Sequence, residues 1–169
     1  MSADEKIDVK TTDDGHKELI LKEYPHSTRW IKGQLILGVG NLVLTNQRLV
    51  FLHGVDLTPR QIAYVKKLSE AGNANKVLDY ALTLHKKSFE VPLTAVTSVK
   101  MAKYCILPFP RPYLKISYRG RGKDKEKALG FMFTIPLLRG FFQLEFTTVF
   151  GWSRMIKKAW NAVRPDFER

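Results

Sequence analysis

Basic side chains concentrate in one short stretch of this chain. Between Lys100 and Lys127 there are nine Lys or Arg residues and only two acids. Cationic side chains at this density attract phosphate groups, acidic lipid or acidic protein, so anion binding is the chemistry that the stretch favours. The alternative is a solvated turn whose charges keep the protein soluble. The residues that crowd a single predicted turn are Arg119, Arg121, Lys123, Lys125 and Lys127.

Glycines near residue 40 have part of the spacing of a phosphate-binding loop. Gly33 and Gly38 are spaced as in a P-loop, but Val39 and Gly40 follow where that loop requires Lys and Ser or Thr. Without the lysine no group can contact the terminal phosphates. We interpret these residues as strand or turn glycines.

Residues suited to catalysis or metal binding are scattered. The four histidines, His16, His26, His53 and His85, are far apart and have no Cys or carboxylate at metal-ligand spacing. No Ser, His and acid arrangement predicts a nucleophile with its base. Cys105 is the only cysteine and lies in an apolar run, so we expect a core residue and no intrachain disulfide. We therefore expect a protein that is not an enzyme and that uses no metal or cofactor.

Length and composition predict one globular domain. The chain has 169 residues, 44% of them hydrophobic, and a net charge of +12. We divide it into a polar N-terminal tail, residues 1–17, and a single domain, residues 18–169. The start lacks the apolar region of a signal peptide, and no uncharged apolar run is long enough to span a bilayer. These features predict a cytoplasmic protein, with peripheral association at the membrane as a further expectation.

Hydrophobic periodicity predicts a mostly β chain with a helical segment in the middle. Two β-rich runs flank the turn residues Thr45 to Gln47, which indicates a hairpin. Thr58 as N-cap and Pro59 after it begin a helix that ends near Gly72, and a second helix follows from about Ala74. The other predicted strands are Glu18–Glu23, Arg29–Leu37, Ser88–Val91, Val96–Ile106, Tyr113–Arg119 and Leu129–Ile135.

Prolines and an amphipathic helix shape the last third of the chain. Three prolines between Leu107 and Pro112 predict a stiff connection, because proline cannot pair in a central strand. A C-terminal helix is predicted from a cap at Thr147 or Thr148. Its apolar stripe is Val149, Trp152, Ile156, Ala159 and Val163.

Three stretches together resemble the GRAM and bacterial pleckstrin-homology-like families. They are GNLVLTNQRLVF from Gly40 to Phe51, SFEVPLTAVTSV from Ser88 to Val99, and the terminal helix with Trp152. The resemblance covers roughly Glu18 to Val163. It implies the pleckstrin-homology superfold, a seven-stranded barrel or sandwich capped by a C-terminal helix, with the helical hairpin of residues 57–87 inserted between strands 3 and 4.

The same resemblance implies where a ligand binds. In that superfold the loop between strands 6 and 7 shares a rim with the loop between strands 3 and 4, which Lys86 and Lys87 close. The expected site for an anionic headgroup is therefore Lys86, Lys87, Arg119, Arg121, Lys123, Lys125 and Lys127.

Three functions follow from these features, in decreasing order of support. The first is a non-catalytic module that engages anionic phospholipid headgroups, or an acidic protein partner at the membrane surface, through the basic rim. The second is a protein–protein interaction scaffold that uses the helical insert. The third is nucleic-acid binding, since Tyr104, Phe109 and Tyr113 interleave with basic residues. Against the third, no recognised nucleic-acid motif is present.

Overall fold

The computed structural model of the chain describes residues 18–32, 35–54, 59–70, 74–106, 109–120, 125–133 and 142–163. In these ranges the protein is mainly β, with three α-helices and one short 3-10 helix, Leu93–Ala95. The elements in chain order are β1 (Ile20–Lys32), β2 (Leu35–Thr45), β3 (Arg48–His53), α1 (Pro59–Glu70), α2 (Ala74–Thr83), β4 (Phe89–Pro92), β5 (Val96–Ile106), β6 (Phe109–Arg119), β7 (Glu126–Phe133) and α3 (Phe142–Ala162).

All seven strands belong to one antiparallel sheet in the order β4-β3-β2-β1-β7-β6-β5. Strands β1 to β4 form one meander and β5 to β7 another, and pairing of β1 with β7 joins the two. Among the described residues β4 and β5 do not pair with each other, so the sheet is not closed. The expected choice between barrel and sandwich is therefore decided against a closed barrel, and the arrangement is consistent with a β-sandwich.

The turn between β2 and β3 has the structure that the sequence predicts. Thr45 Oγ1 accepts hydrogen bonds from the backbone N–H groups of Gln47, at 3.1 Å, and Arg48, at 2.9 Å, and donates to the Arg48 carbonyl. The short polar side chain thus satisfies backbone groups that the ladder leaves free at the hairpin end. Asn46 supports the neighbouring strand through a hydrogen bond from the Leu19 backbone N–H to its Oδ1, at 2.8 Å.

The first two strands differ from the expectation. The predicted strand Arg29–Leu37 crosses a strand end, since β1 ends at Lys32 and β2 begins at Leu35. Both sides of this connection are apolar and β-rich, so hydrophobic pattern alone cannot separate them. The signal that could have done so is Gly33 between Lys32 and Gln34.

Strand β6 also begins earlier than predicted, at Phe109, and includes two prolines. Pro110 pairs with Cys105 and Pro112 with Lys103 of β5, whereas the described pairing of β6 with β7 begins only at Leu114. In this part β6 has one described neighbour. Prolines at alternate positions can then leave their missing N–H groups on the side away from β5.

Two faces of the sheet pack against different elements. On the core face, side chains of both meanders surround α3, whose Trp152 is 0% exposed and stacks on Phe133 at 5.5 Å between ring centroids. On the outer face, α2 places Leu78 over Val43 and Val50. The predicted stripe of α3 is confirmed at the buried residues Val149, Trp152, Ile156 and Ala159.

The helices otherwise agree with the sequence pattern except at the start of α3. Both α1 and α2 occur between β3 and β4 as expected, with Thr58 and Gly72 outside the described residues. The cap predicted at Thr147 or Thr148 is wrong, because α3 already begins at Phe142. Within the described ranges, no helix has the length and apolarity needed to cross a membrane.

Candidate functional site

A groove opens where β1 and β7 separate. The described pairing of these strands runs from Thr28–Phe133 to Ile31–Gly130, and beyond this point β7 continues alongside β6. The groove has a volume of about 620 Å³. Its walls come from β1, β6 and β7, and include Trp30, Lys32, Lys115, Tyr118, Lys127 and Leu129.

Gly130 permits the close approach of β1 to β7 at the head of this groove. A Cβ atom at Gly130 would lie 2.5 Å from Cγ1 of Ile31 and 3.2 Å from the Ile31 carbonyl oxygen. Such distances are well inside van der Waals contact, so only glycine lets Ile31 lie across β7. Ile31 is consequently buried on the outer face, where it packs with Met132.

The groove carries an excess of positive charge. Lys32, Lys115 and Lys127 line it and are exposed, and the one acid among the described lining residues is Glu126. Glu126 accepts a hydrogen bond from the Thr97 hydroxyl. Within the described part of the chain none of the three lysines forms an ion pair, so their charges face solvent or a ligand.

The structure divides the predicted basic turn between two faces. Lys127 pairs with Tyr118, and both line the groove, whereas Arg119 pairs with Glu126 one position further along. Neighbouring residues in a strand point to opposite faces, so Arg119 lies on the face of Lys115 and not on that of Lys127, and it is not among the described residues that line the groove. Lys125 is exposed just before β7. Arg121 and Lys123 lie outside the described residues.

Lys86 and Lys87 lie on the other side of β1 from the groove. They form an exposed turn before β4, and neither is among the described residues of the groove wall. In the sheet order, this turn belongs to the β3–β4 side, while the groove is formed by the neighbouring strands β1, β7 and β6. That all seven predicted cations contact one anion stays a prediction.

Two stacked histidines lie beside this turn. The rings of His53 and His85 are 4.2 Å apart between centroids with 27° between their planes, and the Lys87 backbone N–H donates to His85 Nδ1 at 3.2 Å. Burial, followed by the nearby His85 and Lys87, lowers the pKa of His53 below its ordinary value. His53 is held against Gly38, where a Cβ would lie 2.3 Å from the ring.

Aromatic rings form the core beneath this end of the sheet. Trp30 lies 4.9 Å from Phe89 and 6.1 Å from Phe51, measured between ring centroids. Trp30 Nε1 and His53 Nδ1 are buried without a hydrogen-bond partner among the described residues. Rigid rings therefore support β1 beside Lys32, and two polar atoms at this end have no hydrogen-bond partner among the described residues.

The opposite end of β1 holds an ion-pair network that the sequence analysis missed. Arg48 contacts Glu18 at 2.9 Å, Asp79 at 2.6 Å and Glu90, and so joins the residues before β1 to α2 and β4. Burial alone lowers the pKa of Arg48, but hydrogen bonds to Glu18, Glu90 and Asp79 outweigh it and raise the pKa above its ordinary value. These charges are paired within the protein, which indicates a structural role.

Lys32 and Lys115 are the groove lysines absent from the predicted site. Lys115 follows the alternation of β6 and looks like any solvent-facing residue, while Lys32 was placed within a continuous strand. A hairpin at Gly33 would have identified Lys32 as a rim residue.

Among the described residues no group of three or more His, Cys, Asp or Glu side chains could hold a metal ion. Comparisons of the chain with protein-family models, curated proteins and solved structures find no match.

Proposed function

We propose that the chain is a non-catalytic binding module that engages the phosphate of anionic phospholipid headgroups through the groove between β1 and β7. The observation that carries this proposal is the presence of Lys32, Lys115 and Lys127 around one groove without ion-pair partners in the described part of the chain. Lysine is a common ligand for phosphate, acting as a compact point charge with rotatable donors.

The magnitude of the electrostatic attraction is sufficient for reversible binding. A Lys or Arg near an acidic bilayer contributes roughly 1 kcal/mol, so three lysines contribute roughly 3 kcal/mol. Exposed cations elsewhere add to this, since the chain carries a net charge of +12. The aromatic and apolar lining at Trp30, Tyr118 and Leu129 suits the glycerol and carbon atoms next to the phosphate.

The family resemblance supports the same proposal. A mainly β chain of seven strands with a C-terminal helix is what a GRAM or pleckstrin-homology-like domain requires. On this reading α1 and α2 are an insertion between strands 3 and 4, and Lys86, Lys87 and the turn from Arg119 to Lys127 extend the cationic rim. We propose a peripheral location at the cytoplasmic membrane face.

Vesicle co-sedimentation tests the proposal with a charge-matched control. We expect the wild-type chain to bind vesicles of phosphatidylcholine with phosphatidylserine and not vesicles of phosphatidylcholine alone. Replacing Lys32 and Lys127 with Gln removes two contacts near the bilayer and should weaken binding about thirtyfold. The control replaces Lys157 and Lys158, two exposed lysines of α3, with Gln and has the same net charge.

Equal loss of binding in both double variants would show that overall charge, and not the groove, attracts the vesicles. Soluble glycerophosphoserine separates headgroup recognition from attraction to a surface, and we expect it to shift the amide NMR signals of Leu129 and Gly130. Tighter binding of a single-stranded oligonucleotide or an acidic peptide than of acidic vesicles would contradict the lipid proposal.

A further inference from the structure

Exposed apolar side chains occur at the end of the β1–β2 hairpin. Leu35 is 68% exposed, more than any other large hydrophobic residue in the described part of the chain, and Ile36 and Val39 are each 45% exposed. We call these three residues the apolar end. Exposure of aliphatic side chains to water is unfavourable, so three of them at one hairpin end form an apolar surface that a second apolar phase can cover.

The apolar end presents hydrophobic side chains on both faces of the hairpin. Ile36 pairs with Ile31, which lies on the outer face of the sheet, and so Ile36 lies on the outer face as well. Leu35 pairs with Lys32 and therefore lies on the opposite face. A folded protein partner would cover one face of such a two-stranded end, whereas lipid can surround both.

The charges around the apolar end favour an acidic partner over a second copy of this chain. Arg29 is paired with Val39 and Lys32 with Leu35, so cations lie directly across the strand pair from two of the three apolar residues. From residue 28 to residue 41 the chain contains these two cations and no acid. A second copy brought to this end would meet charges of the same sign, whereas an acidic bilayer complements them.

We propose that the apolar end inserts into the headgroup and upper acyl-chain region of an acidic membrane, while the groove next to it holds a lipid phosphate. The inference rests on the proposed function, since it adds an orientation to the same site. Lys32 belongs to both features, because it lines the groove and pairs with Leu35. Its long stem can lie along the inserted hairpin while its ammonium group stays among the phosphates.

Sedimentation of one double variant tests insertion separately from phosphate binding. We expect replacement of Leu35 and Ile36 with Gln to weaken binding to phosphatidylserine-containing vesicles by more than about thirtyfold, since each buried aliphatic side chain contributes more than about 1 kcal/mol. Glycerophosphoserine binding by the same variant should be unchanged, because the groove lysines remain. The control replaces Phe150 of α3, which is 59% exposed, with Gln and should bind vesicles like the wild type.

Each other outcome overturns the inference in a recognisable way. Unchanged vesicle binding by the Leu35 and Ile36 variant excludes insertion. The groove proposal still stands in that case if the Lys32 and Lys127 variant binds the vesicles more weakly than the wild type. Loss of glycerophosphoserine binding as well would mean that these residues support the groove. Absence of any wild-type vesicle binding removes both proposals. Dimerisation that disappears in the variant would assign the apolar end to contact between copies.

Depth measurement gives a second readout that does not depend on affinity. A fluorophore attached at Leu35→Cys, in a Cys105→Ala background, should be quenched by lipids brominated on the acyl chain. The same fluorophore at Phe150→Cys should not be quenched. Equal quenching at both positions, or none at Leu35→Cys in the vesicle-bound protein, would contradict insertion.

Discussion

Charged side chains are paired at one end of β1 and unpaired, among the described residues, at the other. At the end where β1 begins, the guanidinium of Arg48, in β3, contacts three carboxylates. One of these partners, Glu18, is only 4% exposed. After Ile31, the groove gathers Lys32, Lys115 and Lys127, and the one acid of its described lining, Glu126, accepts a hydrogen bond from Thr97. The Arg48 end uses charge to join elements of the fold, and the groove end leaves charge available.

Neutral polar groups do not follow the same division. Near Arg48, the Thr45 hydroxyl makes hydrogen bonds within the β2–β3 turn. At the groove end, Trp30 Nε1 and His53 Nδ1 are buried with no partner among the described residues. Thr28 Oγ1 and Trp152 Nε1 are buried in the same way, so unsatisfied polar atoms are not confined to one end of the sheet. The ion pairs give the Arg48 end a structural role, whereas the groove lysines form no ion pair within the described residues.

Removing the guanidinium should have the largest effect on stability. We expect Arg48→Leu to lower the free energy of unfolding by about 3 kcal/mol, because Glu18 is left buried without its partner. Urea denaturation measures the change. The matched variant Lys127→Leu, at the groove end, should change stability by less than about 0.5 kcal/mol, since the lysine is exposed and forms no described ion pair.

Similar losses for Arg48→Leu and Lys127→Leu would contradict the division between the two ends. If Arg48→Leu lowers the free energy of unfolding and the further replacement of Glu18 with Leu restores it, the contrast between the two ends becomes sharper. That result would show that the unpaired carboxylate, and not the missing packing of the arginine stem, accounts for the instability.

An added methyl group at the head of the groove should have the next largest effect. In Gly130→Ala the new Cβ meets Ile31 at 2.5 Å, so the strands must shift, and we expect a loss of about 2 kcal/mol. Gly120→Ala is the control, because no atom lies within 4 Å of its added Cβ, and it should change stability by less than about 0.5 kcal/mol. Thermal unfolding of both variants makes the comparison.

Ligand binding by Gly130→Ala tests whether the shape of the groove depends on the close approach of β1 and β7. Gly130→Ala should also weaken glycerophosphoserine binding, because it moves β1 and β7 where the groove begins. Unaltered binding in a destabilised Gly130→Ala would separate the groove from the close approach of the two strands.

The pH dependence of stability should show the smallest of these effects. The pKa of His53 is lowered in the folded protein by burial and by its neighbours, so on acidification the unfolded chain takes up this proton first. His53 thus supports folding above its unfolded pKa of about 6.5, and that support is lost as pH falls through the lower folded pKa. Between about pH 7.5 and pH 5.5, wild-type stability should decline more steeply than that of His53→Asn.

Urea denaturation across this pH range provides the slopes, and an NMR titration of the His53 ring provides the folded pKa directly. Parallel slopes for the wild type and His53→Asn would show that other groups govern the acid response. Lys87→Gln is an informative companion, since removing this cation should raise the pKa of His53 and reduce the slope in part.

Much of the secondary structure could be predicted because its causes are local. The turn at Thr45 to Gln47 depends on hydrogen bonds between residues within three positions of each other, and the stripe of α3 depends on helical spacing. The predicted strand boundaries were wrong where pairing with a neighbouring strand determines them. Pro110 and Pro112 enter β6 because the described neighbour at that point lies on one side only.

The sequence by itself determined a mainly β chain, its turn, its helices and a strongly basic turn before β7. Only the tertiary structure decided which cations line one groove. Lys127, Lys32 and Lys115 line one groove because β1, β7 and β6 are neighbours in the sheet, even though strand alternation places Lys115, like Arg119, on the face opposite to Lys127. Density of charge along the chain cannot show this, since pairing between distant strands and the two-residue period of each strand determine where a side chain lies.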